Sequence, residues 1–323
     1  MYDLIIIGAG PAGLTASIYA SCLGLKHLVI GKVIGGQMIL APDILNYPGY
    51  DEINGQDLSN RMVQQAKKRG GVILTDSVIN VSQIEEGFLL KTEQNQEYQA
   101  KTIILATGVE RRKLNVPGEN EYTGKGVEYH AKWGRFDYLG KVAVVVGGAN
   151  AAAQTAVQVG HSANKVTIIY RGSDLRCDEV WKKHISENPK IDELYNSSVS
   201  EIKGDGQKVT EITVLTKAVQ NQTTSKNLAV DKVFIEIGGV PGSALLIPLG
   251  VTMDPGGFIA IDEKLATNVP GVYVAGDVIS HRYSIEQITS AVGSGARAAS
   301  LVFSFLKQQT APTLWGSSQI RRG

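Results

Sequence analysis

The chain has 323 residues, a length that predicts two domains of about 150 residues each. Hydrophobic residues make up 43% of it and charged residues 20%, proportions typical of globular proteins with substantial cores. A net charge of +1 excludes a general electrostatic attraction to nucleic acid or anionic lipid. The chain has two cysteines, Cys22 and Cys177, which are too few for a disulfide framework and fit a reducing cytoplasm.

The first predicted elements are a strand, a glycine turn and a helix. Leu4–Ile7 is an apolar run without alternation, which predicts a strand buried on both faces, as in a parallel sheet. The helix is rich in small residues, and KHLVIGK is the next strand, which closes a βαβ unit of about thirty residues. Further strands are predicted, in chain order, in KTIILATG, KVAVVVGG, NKVTIIYRG, AVDKVFIEIGG and GVYVAGD.

The strand–turn–helix–strand pattern occurs twice, at positions about 140 residues apart. This repetition predicts an α/β protein with two Rossmann-like, three-layer nucleotide-binding domains, the second inserted into the first. Residues 1–116 and 244–308 then form one domain and residues 117–243 the other, with a C-terminal tail at 309–323. The segments NVPGEN and GGVPGSALL are the predicted connections between the two domains.

Two uncharged stretches, Leu4–Leu25 and Val142–Asn164, are long enough to span a bilayer. Both have glycines at their centre, so a strand, a tight turn and a helix explain them better than a membrane span. The initial residues MYDL lack the basic region of a secretory signal. We therefore expect a cytoplasmic protein without a membrane span.

The first turn carries a complete dinucleotide-binding motif. Gly8-Ala9-Gly10-Pro11-Ala12-Gly13 reads G-x-G-x-x-G, directly after a strand and at the start of a helix. Gly8 permits the tight turn, Gly10 lets a pyrophosphate approach the backbone, and Gly13 lets the helix pack on the strand. The free N–H groups at the start of the helix favour phosphates, so the turn predicts a bound dinucleotide.

The order and spacing of five motifs resemble the small thioredoxin reductases over about residues 1–308. The motifs are the first turn, GGQ (residues 35–37), NYPG (46–49), ATG (106–108) and VYVAGD (272–277). The resemblance implies an FAD domain interrupted by a pyridine-nucleotide-type domain, usually in a homodimer. Besides Gly8, Gly10, Pro11, Ala12 and Gly13, the implied FAD-binding residues are Gly35, Gly36, Gln37, Asn46, Ala106, Thr107, Gly108, Gly276, Asp277, Gln287 and Ile288.

The resemblance assigns a role to each part of this set. Gly36, Gln37 and Asn46 would line the flavin, and Thr107 and Gly108 would lie near the pyrophosphate and ribose. Asp277 would hold ribitol hydroxyls, and Gln287 and Ile288 would present their backbone to the isoalloxazine.

The chain departs from the family at the redox cysteines, whose positions are taken by His130 and Trp133. Disulfide exchange requires two thiols within bonding reach, so we do not expect thioredoxin to be reduced by the family's route. Cys22 and Cys177 are predicted to lie far apart, in different domains. His130, as a proton donor, and Trp133, stacked on the flavin, are candidate catalytic residues; the alternative is that both only pack.

The second turn is also altered. Gly147-Gly148-Ala149-Asn150-Ala151-Ala152 fits the family's G-x-G-x-x-A, except that Ala149 replaces the middle glycine. Of the family's H-R-R-x-x-x-R, which binds NADPH, Arg171 and Arg176 remain and Gly172 replaces one arginine. One charge-assisted hydrogen bond contributes about 1.5–3 kcal/mol, so NADPH binding is expected to be weakened. NADPH or a second adenine nucleotide, including a second FAD, therefore remain as alternatives.

Two further departures lie near the expected flavin. Ile285-Glu286-Gln287 takes the place of the family's Tyr-Arg-Gln, and Glu286 would either disfavour a reduced, anionic flavin or point to solvent. The tail extends past the family's usual end and contains Trp315. In the related thioredoxin-reductase-like ferredoxin–NADP reductases such an extension places an aromatic ring over the flavin, so Trp315 is a candidate for flavin stacking. The alternative is a frayed tail.

Together, these features predict an FAD-dependent oxidoreductase that transfers electrons between flavin and NAD(P)H or a one-electron carrier such as ferredoxin or flavodoxin. Two alternatives are a disulfide-linked flavoenzyme, possibly with two flavins, and a nucleotide-binding sensor without turnover. The expected partners are a second copy of the chain and a small redox protein, either a ferredoxin or a thiol protein. The five histidines lack paired spacing, so no metal site is predicted.

Overall fold

The computed structural model describes residues 1–41, 44–129, 131, 138–217, 222–280 and 285–312. The strands are β1 (Tyr2–Ile7), β2 (His27–Ile30), β3 (Val72–Leu74), β4 (Val78–Ile84), β5 (Gly87–Thr92), β6 (Glu97–Leu105), β7 (Val109–Arg111), β8 (Val127–Glu128), β9 (Val142–Val146), β10 (Lys165–Ile169), β11 (Ile191–Leu194), β12 (Ser197–Gly204), β13 (Val209–Lys217), β14 (Thr223–Ala229), β15 (Lys232–Ile235), β16 (Gly239–Pro241) and β17 (Val272–Val274). The α-helices are α1 (Pro11–Cys22), α2 (Gly55–Lys68), α3 (Glu119–Tyr122), α4 (Asn150–Gly160), α5 (Glu179–Ser186) and α6 (Ile288–Lys307). Short 3₁₀-helices occupy Gly36–Leu40 and Ala244–Leu249.

The chain divides into two compact units. The first consists of Met1–Glu110 and Val240–Gly323, and the second of Arg111–Gly239. These limits lie several residues before the predicted boundaries at 117 and 243. The chain enters and leaves the second unit through β7 and β16, which form a two-stranded sheet.

The first unit contains a seven-stranded sheet in the order β3-β2-β1-β6-β5-β4, with β17 also paired to β6. Strand β1 runs parallel to β2 and β6, with Ile7 opposite both Ile30 and Leu105. Its residues Leu4–Ile7 are all buried, which explains the uninterrupted apolar run in the sequence. Strands β4 and β5, which pair antiparallel to each other at the edge of the sheet, were not predicted from the sequence.

Helices α1 and α6 pack against each other through small residues. A Cβ atom on Gly295 of α6 would lie 2.2 Å from the carbonyl oxygen of Ala12 in α1. Ala16 on α1 and Ala298 on α6 are fully buried. The small residues noted in the first helix therefore allow a close backbone approach, which brings α6 beside the first glycine turn.

The second unit has a five-stranded sheet in the order β11-β10-β9-β15-β8, and all of its pairs are parallel. A separate antiparallel sheet, β12-β13-β14, was not predicted from the sequence. The predicted fold class, two Rossmann-like nucleotide-binding domains, is confirmed. Both uncharged stretches form a strand, a turn and a helix, and no helix within the described part of the chain is long and apolar enough to cross a membrane.

Candidate functional site

Two glycines of the first turn are required by the protein's own packing. Gly8 has φ +113°, and a Cβ atom on it would lie 2.2 Å from the carbonyl oxygen of Ala106. A Cβ atom on Gly13 would lie 1.9 Å from the carbonyl oxygen of Gly8. Gly8 is therefore needed for the turn and Gly13 for the contact between helix and strand, as the motif predicts.

Gly10 is different, because nothing in the described protein crowds it. Its φ of −78° and ψ of −173° are accessible to any residue. The nearest atom to a Cβ added there is the Cα of Gly36, at 3.8 Å. The space in front of Gly10 is thus open, next to the first N–H groups of α1. This is the arrangement that a pyrophosphate requires.

The GGQ segment lies against this turn. The N–H of Gly35 donates to the carbonyl oxygen of Ala9 at 2.8 Å, and a Cβ atom on Gly36 would lie 3.1 Å from the Cα of Gly10. The side-chain amide of Gln37 donates to the carbonyl oxygen of Val109. The glycine backbones of the two segments therefore pack closely against each other beside the start of α1.

The ATG segment also reaches the first turn. The N–H of Ala106 donates to the carbonyl oxygen of Ile7 at 2.7 Å, so this segment continues directly from the β1–β6 pairing. The Thr107 hydroxyl donates to the carbonyl oxygen of Gly242 at 2.9 Å, and Gly108 has φ +63°. The hydrogen bond from Thr107 and the left-handed conformation of Gly108 fix the course of the backbone directly after β6.

The VYVAGD segment closes the same site. Gly276 has φ +82°, donates its N–H to the Ser294 hydroxyl at 2.9 Å, and would place a Cβ atom 3.1 Å from the Cβ of Ala12. Asp277 follows directly. Its Oδ1 atom is buried and accepts no hydrogen bond from a described group. A carboxylate therefore lies beside the start of α1, where hydroxyl groups of a ligand would find an acceptor.

Asn46 and Gln287, both predicted to contact the flavin, are joined in the structure. The side-chain amide of Asn46 donates to Oε1 of Gln287 at 2.8 Å, and both residues are exposed. Ile288 begins α6 and packs against the cluster that contains Leu14 and Met38. The first unit therefore brings together chain segments that are far apart in sequence.

The second glycine turn is shaped by Tyr170. Gly147 has φ +150°, and a Cβ atom on Gly148 would lie 2.4 Å from the Tyr170 ring. A Cβ atom on Gly172 would lie 2.5 Å from the opposite edge of that ring. The tyrosine ring, which is buried, thus explains why glycine stands at 172 where the family has arginine. Ala149 is exposed and precedes α4, so its methyl group is accommodated by the protein itself.

The loop that carries the two arginines is fastened to this turn. The N–H of Arg176 donates to the carbonyl oxygen of Gly148 at 2.7 Å. Asn150 donates to Oδ2 of Asp178 at 3.0 Å, and the N–H of Asp178 donates to Oδ1 of Asn150 at 2.8 Å. The Arg176 guanidinium lies 5.9 Å from the centre of the Tyr170 ring, and Arg171 is exposed. Asp178 was not identified from the sequence, since its partner is 28 residues away.

A second residue missed by the sequence analysis is Glu236. It follows β15 and is buried, and its carboxylate accepts a hydrogen bond from Thr155 of α4 at 2.9 Å. Its Oε2 lies 3.7 Å from the Arg111 guanidinium. An acidic residue directly after the apolar residues 233–235 was the only signal in the sequence.

The two cysteines lie in different units. Cys22 is exposed on α1, and Arg69 donates to its sulfur at 3.5 Å. Cys177 is buried in the core of the second unit, where burial raises the pKa of its thiol and so disfavours the reactive thiolate.

Three predicted residues, His130, Trp133 and Trp315, lie outside the described residues. In the part of the chain that is described, no three His, Cys, Asp or Glu side chains are grouped so that they could hold a metal ion.

The sequence matches the family of pyridine nucleotide-disulphide oxidoreductases over residues 2–295. It is 38% identical over 317 residues to the thioredoxin reductase of Bacillus subtilis, covering 97% of this chain and 98% of the relative. It is 39% identical over 299 residues to that of Listeria innocua, covering 92% of each chain. The crystal structure of Lactococcus lactis thioredoxin reductase (FR conformation) superposes with a TM-score of 0.74 at 34% identity, covering 96% of this chain and 100% of that one. The chain therefore belongs to the pyridine nucleotide-disulphide oxidoreductases, among the low-molecular-weight thioredoxin reductase-like flavoproteins.

Proposed function

We propose that this protein is an FAD-dependent oxidoreductase that transfers electrons between its flavin and NAD(P)H or a one-electron carrier, without a protein disulfide. The open space beside Gly10, at the start of α1, carries the FAD assignment. The protein's own packing does not require glycine at this position. A bound pyrophosphate supplies the missing reason.

The other residues of the first unit fit the remaining parts of FAD. Asp277 would accept hydrogen bonds from ribitol hydroxyls, and Thr107 with Gly108 would border the pyrophosphate and ribose. Asn46 and Gln287, joined by their 2.8 Å hydrogen bond, would form one wall beside the isoalloxazine. When bound, FAD supplies a ring that accepts two electrons as a hydride and can pass them on one at a time. The protein's part is to hold and orient that ring.

The cysteines support a route without thiols. The relatives named above are thioredoxin reductases, but the two cysteines of this chain are 155 positions apart (177 − 22 = 155) and belong to different units. The Cys177 thiol is also buried, so it lacks the exposure that disulfide exchange with a partner protein requires. We therefore assign the electron acceptor to a small redox carrier and not to thioredoxin.

The second unit would bind the nicotinamide nucleotide. Its turn keeps the left-handed Gly147 and the start of α4, and the hydrogen bonds from Arg176 and Asp178 hold the arginine loop beside that turn. With Gly172 in place of an arginine, fewer cations are available to bind a 2′-phosphate. A second FAD in this site is the alternative that the same turn and arginines would accommodate.

Denaturation of the purified protein and chromatography of the released nucleotides test this proposal. We expect one FAD per chain, and bleaching of its visible absorption by NADPH or by a reduced one-electron carrier under anaerobic conditions. Release of two FAD per chain would favour the diflavin alternative. Bound FAD that no donor reduces would favour a sensor, and a folded protein that neither contains nor binds FAD would overturn the proposal. Size-exclusion chromatography of the same sample tests the proposed homodimer.

A further inference from the structure

Ser294 of α6 is hydrogen-bonded to the segment that follows β17. Its hydroxyl oxygen accepts the N–H of Gly276 at 2.9 Å, and its hydroxyl proton is donated to the carbonyl oxygen of Ala291, one turn earlier on the helix, at 3.0 Å. Because the proton is directed along the helix, a lone pair of the oxygen faces Gly276. A half-buried serine of the last helix therefore holds the backbone of a segment that precedes it in the chain.

Gly276 is confined from several sides. It has φ +82°, and a Cβ atom on it would lie 3.1 Å from the Cβ of Ala12 in the first turn of α1. Its carbonyl oxygen accepts the N–H of Ile279 at 3.1 Å. Asp277 follows directly, with its Oδ1 atom buried. Since the orientation of the backbone sets the direction in which a side chain leaves it, the bond to Ser294 helps to fix where the Asp277 carboxylate points.

The position of this segment matches the ribitol part of FAD. The helix begins beside Gln287, whose bond to Asn46 belongs to the wall that we assign to the isoalloxazine. Ser294 is about two turns, or about 10 Å, further along the helix. There the Gly276 segment adjoins the start of α1, which we assign to the pyrophosphate. Ribitol is the part of FAD that joins the ring to the pyrophosphate, so Asp277 lies where its hydroxyl groups would pass.

We propose that Ser294 is a positioning residue for FAD: by accepting the N–H of Gly276, it orients the Asp277 carboxylate towards the ribitol hydroxyls. The inference rests on the proposed binding of FAD in the first unit. Both hydrogen bonds of the Ser294 hydroxyl go to the protein's own backbone, so the residue acts on FAD through Asp277. Without this hydroxyl the N–H of Gly276 loses its acceptor, and the peptide that leads into Asp277 is no longer held in place.

The test compares two ligands that differ in the ribitol. The whole chain, freed of its flavin, is titrated with FAD, and with ADP in competition with FAD, because ADP has the adenosine and the diphosphate but no ribitol. We expect Ser294→Ala to weaken FAD binding about three- to tenfold, the effect of one lost hydrogen bond, and ADP binding by less than about twofold. Ser294→Thr keeps the hydroxyl and should bind FAD within about twofold of wild type.

A double variant shows whether Ser294 acts through Asp277. When Asp277→Ala has already removed the carboxylate, the additional change Ser294→Ala should weaken FAD binding by less than about twofold, since coupled residues do not contribute additively. A further loss as large as the one in the wild-type background would show that Ser294 acts independently of Asp277, and would overturn the inference.

Ser300→Ala is the matched control, because Ser300 is another half-buried serine of α6. Its hydroxyl donates to the carbonyl oxygen of Ala296, within the helix, at 3.0 Å. This variant should leave the affinities for FAD and ADP unchanged. Ser294→Cys, with a similar volume and a weaker acceptor, is the second variant if Ser294→Ala does not fold, with folding checked by circular dichroism.

Unchanged FAD affinity in Ser294→Ala, or an equal loss of affinity for FAD and ADP, would overturn the inference. So would a threonine variant that binds FAD as weakly as the alanine variant, or an effect of the same size in the Ser300 control. Wild-type protein that does not bind FAD would instead refute the proposed FAD site, and the inference with it. The two kinds of failure are distinguishable, because the first requires measurable FAD binding in wild type.

Discussion

The side-chain amide of Asn46 donates a 2.8 Å hydrogen bond to Oε1 of Gln287, which lies 241 positions further along the chain. Asn46 belongs to the loop after the first 3₁₀-helix, and Gln287 is the residue that precedes α6. The bond ties together two segments that we expect to border the isoalloxazine.

The first prediction concerns this bond. Asn46→Ala should weaken FAD binding about three- to tenfold, equivalent to about 1 kcal/mol. The reason is that Gln287 loses the hydrogen bond that holds it beside the ring. The melting temperature of the apoprotein should hardly change, since both residues are exposed. Titration of apoprotein with FAD checks this. Gln56→Ala, which removes an exposed 3.1 Å bond to Asn60 on α2, is the control and should leave FAD affinity unchanged.

The second prediction distinguishes two glycines of the first turn: Gly10, which we expect to leave room for a ligand, and Gly13, which the packing of the protein requires. Gly10→Val should give a folded apoprotein that binds no FAD. Among the described residues only the Cα of Gly36, at 3.8 Å, lies near the added Cβ, so the protein itself tolerates valine, whereas the valine methyl groups would occupy the space of the pyrophosphate. Gly13→Ala should destabilise the protein itself by about 1–3 kcal/mol or more, because its Cβ would lie 1.9 Å from a carbonyl oxygen.

Thermal unfolding of both variants, without and with added FAD, measures the difference between them. A Gly10→Val protein that remains yellow after desalting would contradict the assigned role of Gly10. Equal destabilisation of the two apoproteins would show that Gly10, too, is a packing residue.

The third prediction is a pH dependence from His27. This residue is buried, its Nδ1 lies 3.0 Å from the carbonyl oxygen of Leu25 and its Nε2 lies 2.8 Å from the Ser17 hydroxyl. The carbonyl requires a proton on Nδ1, so Nε2 accepts from Ser17 and the ring is neutral. Burial lowers the pKa of His27, and the bond to Leu25 offsets only part of this effect.

The sign follows from the lowered pKa. The unfolded chain takes up a proton at about pH 6.5 and the folded protein does so only at lower pH. The contribution of His27 to stability is therefore complete above about pH 6.5 and is lost as the pH falls through the folded pKa, at up to about 1.4 kcal/mol per pH unit. Urea unfolding between about pH 7.5 and pH 5 should show this slope, and His27→Gln should reduce it. An equally steep slope in the variant would assign the effect to other groups.

The fourth prediction concerns the thiols. With NADPH as donor, reduction of thioredoxin should be negligible, because the cysteines lie in different units and Cys177 is buried. The double variant Cys22→Ser, Cys177→Ser should keep the wild-type rate with a one-electron acceptor such as ferricyanide. Robust thioredoxin reduction that disappears in the double variant would show that these thiols do participate.

The fifth prediction concerns the two tryptophans proposed to cover the flavin. An indole stacked on the isoalloxazine quenches its fluorescence, so removal of the stacking residue should brighten the bound flavin. We compare Trp133→Ala with a truncation that ends at Gln309 and thus lacks Trp315. Brightening in the truncation alone supports Trp315, brightening in Trp133→Ala alone supports Trp133, and no change in either contradicts both.

Much of the architecture followed from the sequence because its signals are local. The apolar run of β1 and the spacing of Gly8, Gly10 and Gly13 act within one strand, one turn and the start of one helix. Hydrophobic periodicity and φ requirements are set by neighbouring residues, so the same reasoning identified β9, the second turn and α4. The βαβ repetition then determined the fold class, since parallel strands joined by helices form doubly wound sheets.

What the tertiary structure decided depends on contacts between distant residues. The replacement of an arginine by Gly172 is explained only by the Tyr170 ring, and the position of the arginine loop only by the pair Asn150–Asp178. The burial of Glu236 cannot be read from the sequence. It results from the pairing of β15 with β9 and from α4, whose Thr155 hydroxyl donates to the carboxylate. The burial and the electrostatic environment of a side chain depend on contacts between residues that are distant in sequence, and local sequence patterns do not determine those contacts.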